Sequence, residues 1–358
     1  MELFAEIADP AANPPLGVMI FALGGLAGAV FYLPFKRVRH WAWESYWMIY
    51  AVFGLILVPW VLTLGTSPNV ISVLRSAPSR ELAYCFLCGA MWGVGGLTWG
   101  LMIRYLGVGL GLAIGCGLCS AAGTIVPPIL TGEFAGLLDN AAGIVSLGAV
   151  AVSLVGIVLV GGAGMSKERE LAEEEKKAAV AEFDFTKGIC VAVFSGLMSA
   201  GMNFGLQGGP EMQNLAAKIE PVTSATWKGM PVLVVVLLGG FAVNSLWCLF
   251  LNLKNRTTGD YVKPDAPLVA NFAFAGLAGA IWCSQLICFR MGEPAMDKVA
   301  YIGWSALMGS MIFFSTLLGI LLGEWRRTSS RTRSLLALGL VFLVASAVVS
   351  AGSGYLKQ

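Results

Sequence analysis

Trp92, Trp99 and Trp282 sit in apolar stretches of the chain, and so do Ser195, Ser199, Asn203, Gln207 and Gln285. Trp92 and Trp99 are seven residues apart, so on a helix they share a face. Ser195, Ser199, Asn203 and Gln207 recur every four residues and form a slowly drifting polar stripe. Gln285 follows Trp282 by three residues and lies beside it. Aromatic faces suit the C–H-rich face of a sugar or another ring, and an indole N–H is a donor in need of a partner. Amides in hydrocarbon are costly unless hydrogen-bonded. Bonding between helices meets that need, and so does a water-accessible cavity that takes a polyol. The tryptophans read either as core packing or as the flat walls of such a cavity. No apolar run carries an acid or a base at its middle, so the interior suits a neutral, hydroxyl-rich ligand.

Other chemistries find little support. Cys85/Cys88 and Cys116/Cys119 have the spacing of zinc ligands. Each pair lies on an apolar run without polar neighbours, which suits small, polarizable packing residues. No metal site is expected. The one histidine, His40, belongs to a basic loop, KRVRH. There is no Ser/His/Asp set, no HExxH and no carboxylate pair at mid-span, so no catalytic residues are expected and the chain reads as no enzyme. The glycines of residues 89–115 are not a nucleotide-binding loop, which needs a preceding strand. The formal net charge of +2 gives no reason to expect nucleic acid.

These side chains need apolar helices to hold them. Of 358 residues, 57% are hydrophobic and 12% are charged, against about 25% charged in soluble domains. A bilayer span needs roughly 20 mainly apolar residues. Ten such runs are expected: 16–35, 43–64, 81–103, 107–130, 141–162, 188–207, 229–252, 267–289, 298–322 and 334–355. The chain therefore reads as an all-α integral membrane protein. Its first fifteen residues lack the basic start and cleavage site of a signal peptide. The loops after runs 1, 3, 5, 7 and 9 hold sixteen Lys/Arg, against seven elsewhere. Cytoplasmic loops carry that excess, so both termini are expected in the periplasm. Trp41, Trp43 and Trp47 fit an interfacial anchor. The charged stretch 166–187 reads as a solvated cytoplasmic linker, helical through pairs such as Glu173–Lys177.

A linker after the fifth of ten runs suggests duplication. Gly25-Leu26-Ala27-Gly28-Ala29 resembles Gly196-Leu197-Met198-Ser199-Ala200, and Gly89-Ala90-Met91-Trp92 resembles Gly279-Ala280-Ile281-Trp282. Gly132-Glu133 echoes Gly323-Glu324. Five runs per half invert the second half, as in many secondary transporters. The expected organisation is two inverted five-helix repeats, residues 1–165 and 187–358, joined by a linker at 166–186. Small residues let helices approach in lipid. Gly107, Gly111, Gly115, Cys119 and Gly123 form one such stripe, and Gly24 and Gly28 another.

FYLPFKRVRHWAWESYW (31–47), GAMWGVGGLTWGLMIRYLG (89–107), FSGLMSAGMNFGLQ (194–207), YIGW (301–304) and LLGEW (321–325) closely resemble the bacterial L-rhamnose–proton symporter family of the drug/metabolite transporter superfamily. The resemblance implies the ten-helix inverted-repeat fold in the bacterial inner membrane. It implies alternating-access uptake of a neutral 6-deoxyhexose (L-rhamnose or a close relative such as L-fucose) with a proton. The coupling ion is then H+, with no cofactor; the partners are the sugar and membrane lipid, and no obligatory protein partner is evident. Carried over, the sugar site is Tyr32, Trp92, Trp99, Asn203, Gln207, Trp282 and Gln285, with Lys36 at the inner mouth. A coupled proton needs a titratable carrier. Glu44, within the strongest matching segment, is the expected one, and Asp297 is the second. The alternative for Glu44 is a structural pair with Lys36 or Arg39. Competing readings of the whole chain are a metabolite exporter of the same superfamily and a membrane scaffold or sensor with a vestigial cavity.

Overall fold

The computed structural model describes residues 13–170 and 185–353, apart from Glu324 and Arg327. Among the described residues, ten helices are long and apolar enough to cross a membrane. They are α1 (Pro14–Arg37), α2 (Trp43–Thr66), α3 (Ser79–Ile103), α4 (Ile114–Thr131), α5 (Ala141–Glu170), α6 (Thr186–Ala216), α7 (Met230–Lys254), α8 (Leu268–Met296), α9 (Ala300–Leu321) and α10 (Ser330–Ser353). Each corresponds to an expected run, although α5, α6 and α8 extend further than expected. The centre of the expected linker, with Glu173–Lys177, lies outside the described residues.

Local chemistry sets the helix ends. Asn13 caps α1: its Oδ1 accepts the Leu16 N–H at 3.2 Å, and Pro14, which has no N–H to leave unpaired, takes the first position. Gly132 after α4 and Gly323 after α9 both stand at φ 77°, in the left-handed region that ends a helix without a Cβ clash. The residues between α3 and α4 are helical as well, yet a Cβ on Gly115 would lie 3.1 Å from the Trp99 ring. Sixteen residues of straight helix would hold those positions about 24 Å apart. The chain therefore reverses between Met102 and Gly111, and α4 returns beside α3.

Two groups of helices build the interior. In one, α1 packs on α8 and α9. In the other, α6 packs on the α3–α4 hairpin. Helix α2 lies against α8, α7 lies against α3, and α5 pairs with α10. These contacts run through small residues. Gly54 of α2 faces Gly279 of α8 backbone to backbone: a Cβ on Gly54 would lie 2.7 Å from the Gly279 carbonyl oxygen. Gly95 meets Ser199, Gly25 meets Ser310, and Gly196 meets the backbone of Gly115. The glycine stripe of α4 serves several neighbours. Gly111 and Gly115 take Met102 of α3, while Gly123 takes the indole of Trp304. Beside Gly54, α2 loosens into a π-helical turn at Val52–Leu57, a feature often found next to functional sites.

Contacts of this kind tolerate no added volume. Gly279→Leu should destabilise the protein by about 1–3 kcal/mol or more through overpacking against Tyr50 and Gly54. Gly65→Ala, where nothing lies within 4 Å of an added Cβ, should leave the melting temperature nearly unchanged. Thermal unfolding of the two variants in detergent compares them directly.

Candidate functional site

A cavity of about 680 Å³ lies between the two helix groups. One wall comes from α1, α8 and α9, through Gly28, Tyr32, Trp282, Gln285, Trp304 and Met308. The facing wall comes from α3, α4 and α6, through Trp92, Gly96, Trp99, Cys116, Cys119 and Ser199. Trp47 and Tyr50 of α2 and Asn244 of α7 close one side. Tyr32 at the end of α1, Lys167 and Glu168 at the end of α5, and Trp325 after α9 mark the mouth. Among the described residues, both charged lining groups sit at that mouth, and the rest of the lining is neutral. The opposite end is shut by rings: Phe21 lies 5.6 Å from Phe289, which meets Trp304 edge-on at 5.6 Å.

The aromatic wall is continuous. Trp92 and Trp282 stack at 5.0 Å and 28°, Tyr50 meets Trp282 at 6.1 Å, and Trp47 meets Tyr50 at 4.6 Å. Hydrogen bonds fix the polar edges. Trp47 Nε1 donates to Asn244 Oδ1 at 2.9 Å, and Asn244 Nδ2 donates to the Gly240 carbonyl at 2.9 Å. Trp304 Nε1 donates to the Cys119 carbonyl at 3.2 Å. The Gln285 amide lies where a side chain on Gly28 would be, and its Oε1 is buried without a partner. Gly28 is thus the space that lets an amide sit at the wall.

Among the expected site residues, Tyr32, Trp92, Trp99, Trp282 and Gln285 are brought together around this one cavity. The others sit elsewhere. Asn203 is buried, and its Nδ2 donates to the Gly123 carbonyl at 2.6 Å, tying α6 to α4. Gln207 binds Glu293 of α8 at 2.5 Å. Lys36 is exposed, with its ammonium 6.0 Å from the Tyr32 ring centroid beside the mouth. Glu44 is buried away from the cavity, where it accepts Asn255 Nδ2 and Thr257 Oγ1 at 2.9 Å each. It thereby fastens the start of α2 to the loop after α7. The Asp297 side chain lies outside the described residues.

Two features were not anticipated. Trp47, read as an interfacial anchor, and Asn244 both line the cavity. The signal was available for Asn244, an amide in the apolar run LLGGFAVNSLW, which is the rule that singled out Gln285. Charge also enters the bundle away from any mid-span position, in the last two turns of α8. That helix continues past residue 289 despite Pro294 and carries Arg290 and Glu293 inside it.

The L-rhamnose-proton symport protein (RhaT) family matches residues 12–355. The chain belongs to this family. It is similar to an L-rhamnose-proton symporter of Cronobacter sakazakii, at 33% identity over 94% of this chain and 97% of the relative. Relatives of the same description from Klebsiella pneumoniae subsp. pneumoniae and Yersinia pestis are 31% identical over the same shares. The family is one of transporters, so the cavity is that of a multi-pass transport protein and not of an enzyme.

Removing the Glu44 carboxylate takes the acceptor from Asn255 Nδ2 and leaves Thr257 Oγ1 only Asn252 Oδ1, at 3.2 Å. Glu44→Ala should therefore lower stability by about 1–3 kcal/mol, read as a fall in melting temperature, with the cavity unaltered.

Proposed function

We propose that this chain takes up L-rhamnose together with a proton, the sugar binding in the cavity between the α1–α8–α9 and α3–α4–α6 groups. Membership of the symport family across nearly the whole chain carries this reading. The lining supports it. The Trp92–Trp282 surface suits the apolar face and methyl group of a 6-deoxyhexose, and Gln285, Asn244 and Ser199 offer neutral hydrogen-bonding groups. A neutral sugar requires no charged partner, and the inner lining has none.

Transport then proceeds by alternating access, with the two groups closing at one end as they part at the other. Two inverted halves, 1–165 and 187–358, explain the pairings. Exchanging each helix with the one five places on turns α1 on α8 into α6 on α3, α1 on α9 into α6 on α4, and α2 on α8 into α7 on α3. Gly132 and Gly323, matched in the repeat, share the same left-handed conformation. Trp92 and Trp282, also matched, stack on each other, as counterparts near a two-fold axis do. The excess of Lys/Arg on the mouth side supports a cytoplasmic mouth and periplasmic termini.

A reporter at Ala172 should be cytoplasmic and one after Gln358 periplasmic; a cytoplasmic C-terminus overturns the orientation. Liposomes holding unlabelled L-rhamnose should accumulate the labelled sugar by counterflow, which neither a scaffold nor an exporter of other metabolites would do. Gln285→Ala should weaken binding by about 0.5–3 kcal/mol, and Trp92→Ala should weaken it by removing half of the stacked wall. Titration calorimetry in detergent measures both, and parental affinity in both variants would place the sugar elsewhere.

A further inference from the structure

The end of the cavity remote from its mouth carries an ionic cluster for which sugar binding has no use. Arg290 and Glu293 lie one turn apart on α8, with side chains 2% and 13% exposed, and Arg290 Nη1 stands 2.5 Å from Glu293 Oε2. Glu293 Oε1 accepts Gln207 Nε2 at 2.5 Å. Arg290 Nη1 also donates to the Leu206 carbonyl at 3.2 Å. Leu206 and Gln207 both belong to α6. The cluster therefore bridges the two helix groups, α8 on one side and α6 on the other. The guanidinium fills the space beside Gly229, where an added side chain would collide with it, and its Nε has no partner. Lys228 acts on Glu293 from the loop before α7, while Cys85 of α3 lies within reach of both Arg290 and Glu81. Glu81 is engaged with the N–H groups of Glu211 and Met212.

Three facts define what this arrangement does. It lies at the closed end, since the Ala295 carbonyl next to it accepts the Asn13 N–H at the start of α1, whereas Tyr32 at the mouth lies toward the other end of α1. It joins the bodies that must part there for the cavity to open on the far side. Its tie depends on one ionisable carboxylate: a proton on Glu293 removes the ion pair with Arg290 and weakens the bond from Gln207. We propose that Glu293, Arg290 and Gln207 form the gate at the far end of the cavity, and that a proton reaching Glu293 from that side opens it. This rests on the alternating-access reading, and it gives external acid a defined point of entry into the cycle. Arg290 and Gln207 are positioning residues; they act by holding the carboxylate and the two groups together.

The test places one cysteine at Gly96, which lines the cavity with nothing within 4 Å of an added Cβ, in a chain whose eight native cysteines are replaced. Oriented vesicles are exposed to a membrane-impermeant maleimide from each side, at neutral and mildly acidic pH. The cysteine should react from the mouth side in the otherwise unaltered chain. Glu293→Gln and Arg290→Met should raise far-side labelling several-fold. Acid on the far side should do the same to the chain with Glu293 and nothing further to Glu293→Gln. Glu293→Asp, shorter by one methylene, should raise far-side labelling and keep the acid response, which serves if the other variants fail to insert. Far-side labelling that stays at the parental level in the inserted variants, or an acid response that survives in Glu293→Gln, overturns the gate. Parental labelling from the periplasm overturns only the assignment of sides, because the gate is read from the difference between the two ends.

Discussion

The structure depends on how closely its helix backbones approach. In lipid, apolar side chains gain little by exchanging lipid for one another, so helices associate through close contact and hydrogen bonds. Gly54 on Gly279, Gly89 on the Val236 carbonyl, and Gly239 on the Phe86 carbonyl bring backbones together without an intervening side chain. Those contacts lock α2 to α8 and α7 to α3, the outer supports of the cavity. The abundance of glycine, poor for helices in water, is what a close-packed bundle requires.

Close packing at some levels leaves room at another. Between the two groups the small residues Gly28, Gly96 and Ser199 line the cavity, together with the large rings of Trp92, Trp99 and Trp282. Asn244 of the lining is held by Trp47 and its own helix, and elsewhere between the helices Thr98 of α3 is held by Ser195 of α6 at 2.6 Å. The Gln285 oxygen is an exception and lacks a bond. The cavity is thus a consequence of the same small residues that bind the bundle, placed where two packed groups diverge.

Hydrophobic runs made the fold legible. All ten spans follow from segment length and apolarity. The aromatic and amide residues of the cavity lining were legible where an uncommon residue stood in an apolar run, as with Trp282 and Gln285. Legibility failed where context decided. Asn203 and Gln207 continue the polar stripe, but the stripe rotates off the cavity, and the two amides bind the Gly123 carbonyl and Glu293 instead. Arg290 and Glu293 stood where charge and Pro294 argue for a loop; their partners on α6, more than 80 residues away in sequence, keep them inside a helix. Glu44 has the residue type for proton transfer, and only the positions of Asn255 and Thr257 give it a fastening role.

The cavity also has an optical consequence. Of the eleven tryptophans, Trp47, Trp92, Trp99, Trp282, Trp304 and Trp325 line it. Indole emission responds to nearby water and to quenching by neighbouring rings, and both change when a solute displaces water or when the two groups move. More than half of the emitting side chains therefore line the cavity. The Trp92–Trp282 pair, with one ring on each group, makes the separation of those groups a quantity that light can follow without any added label.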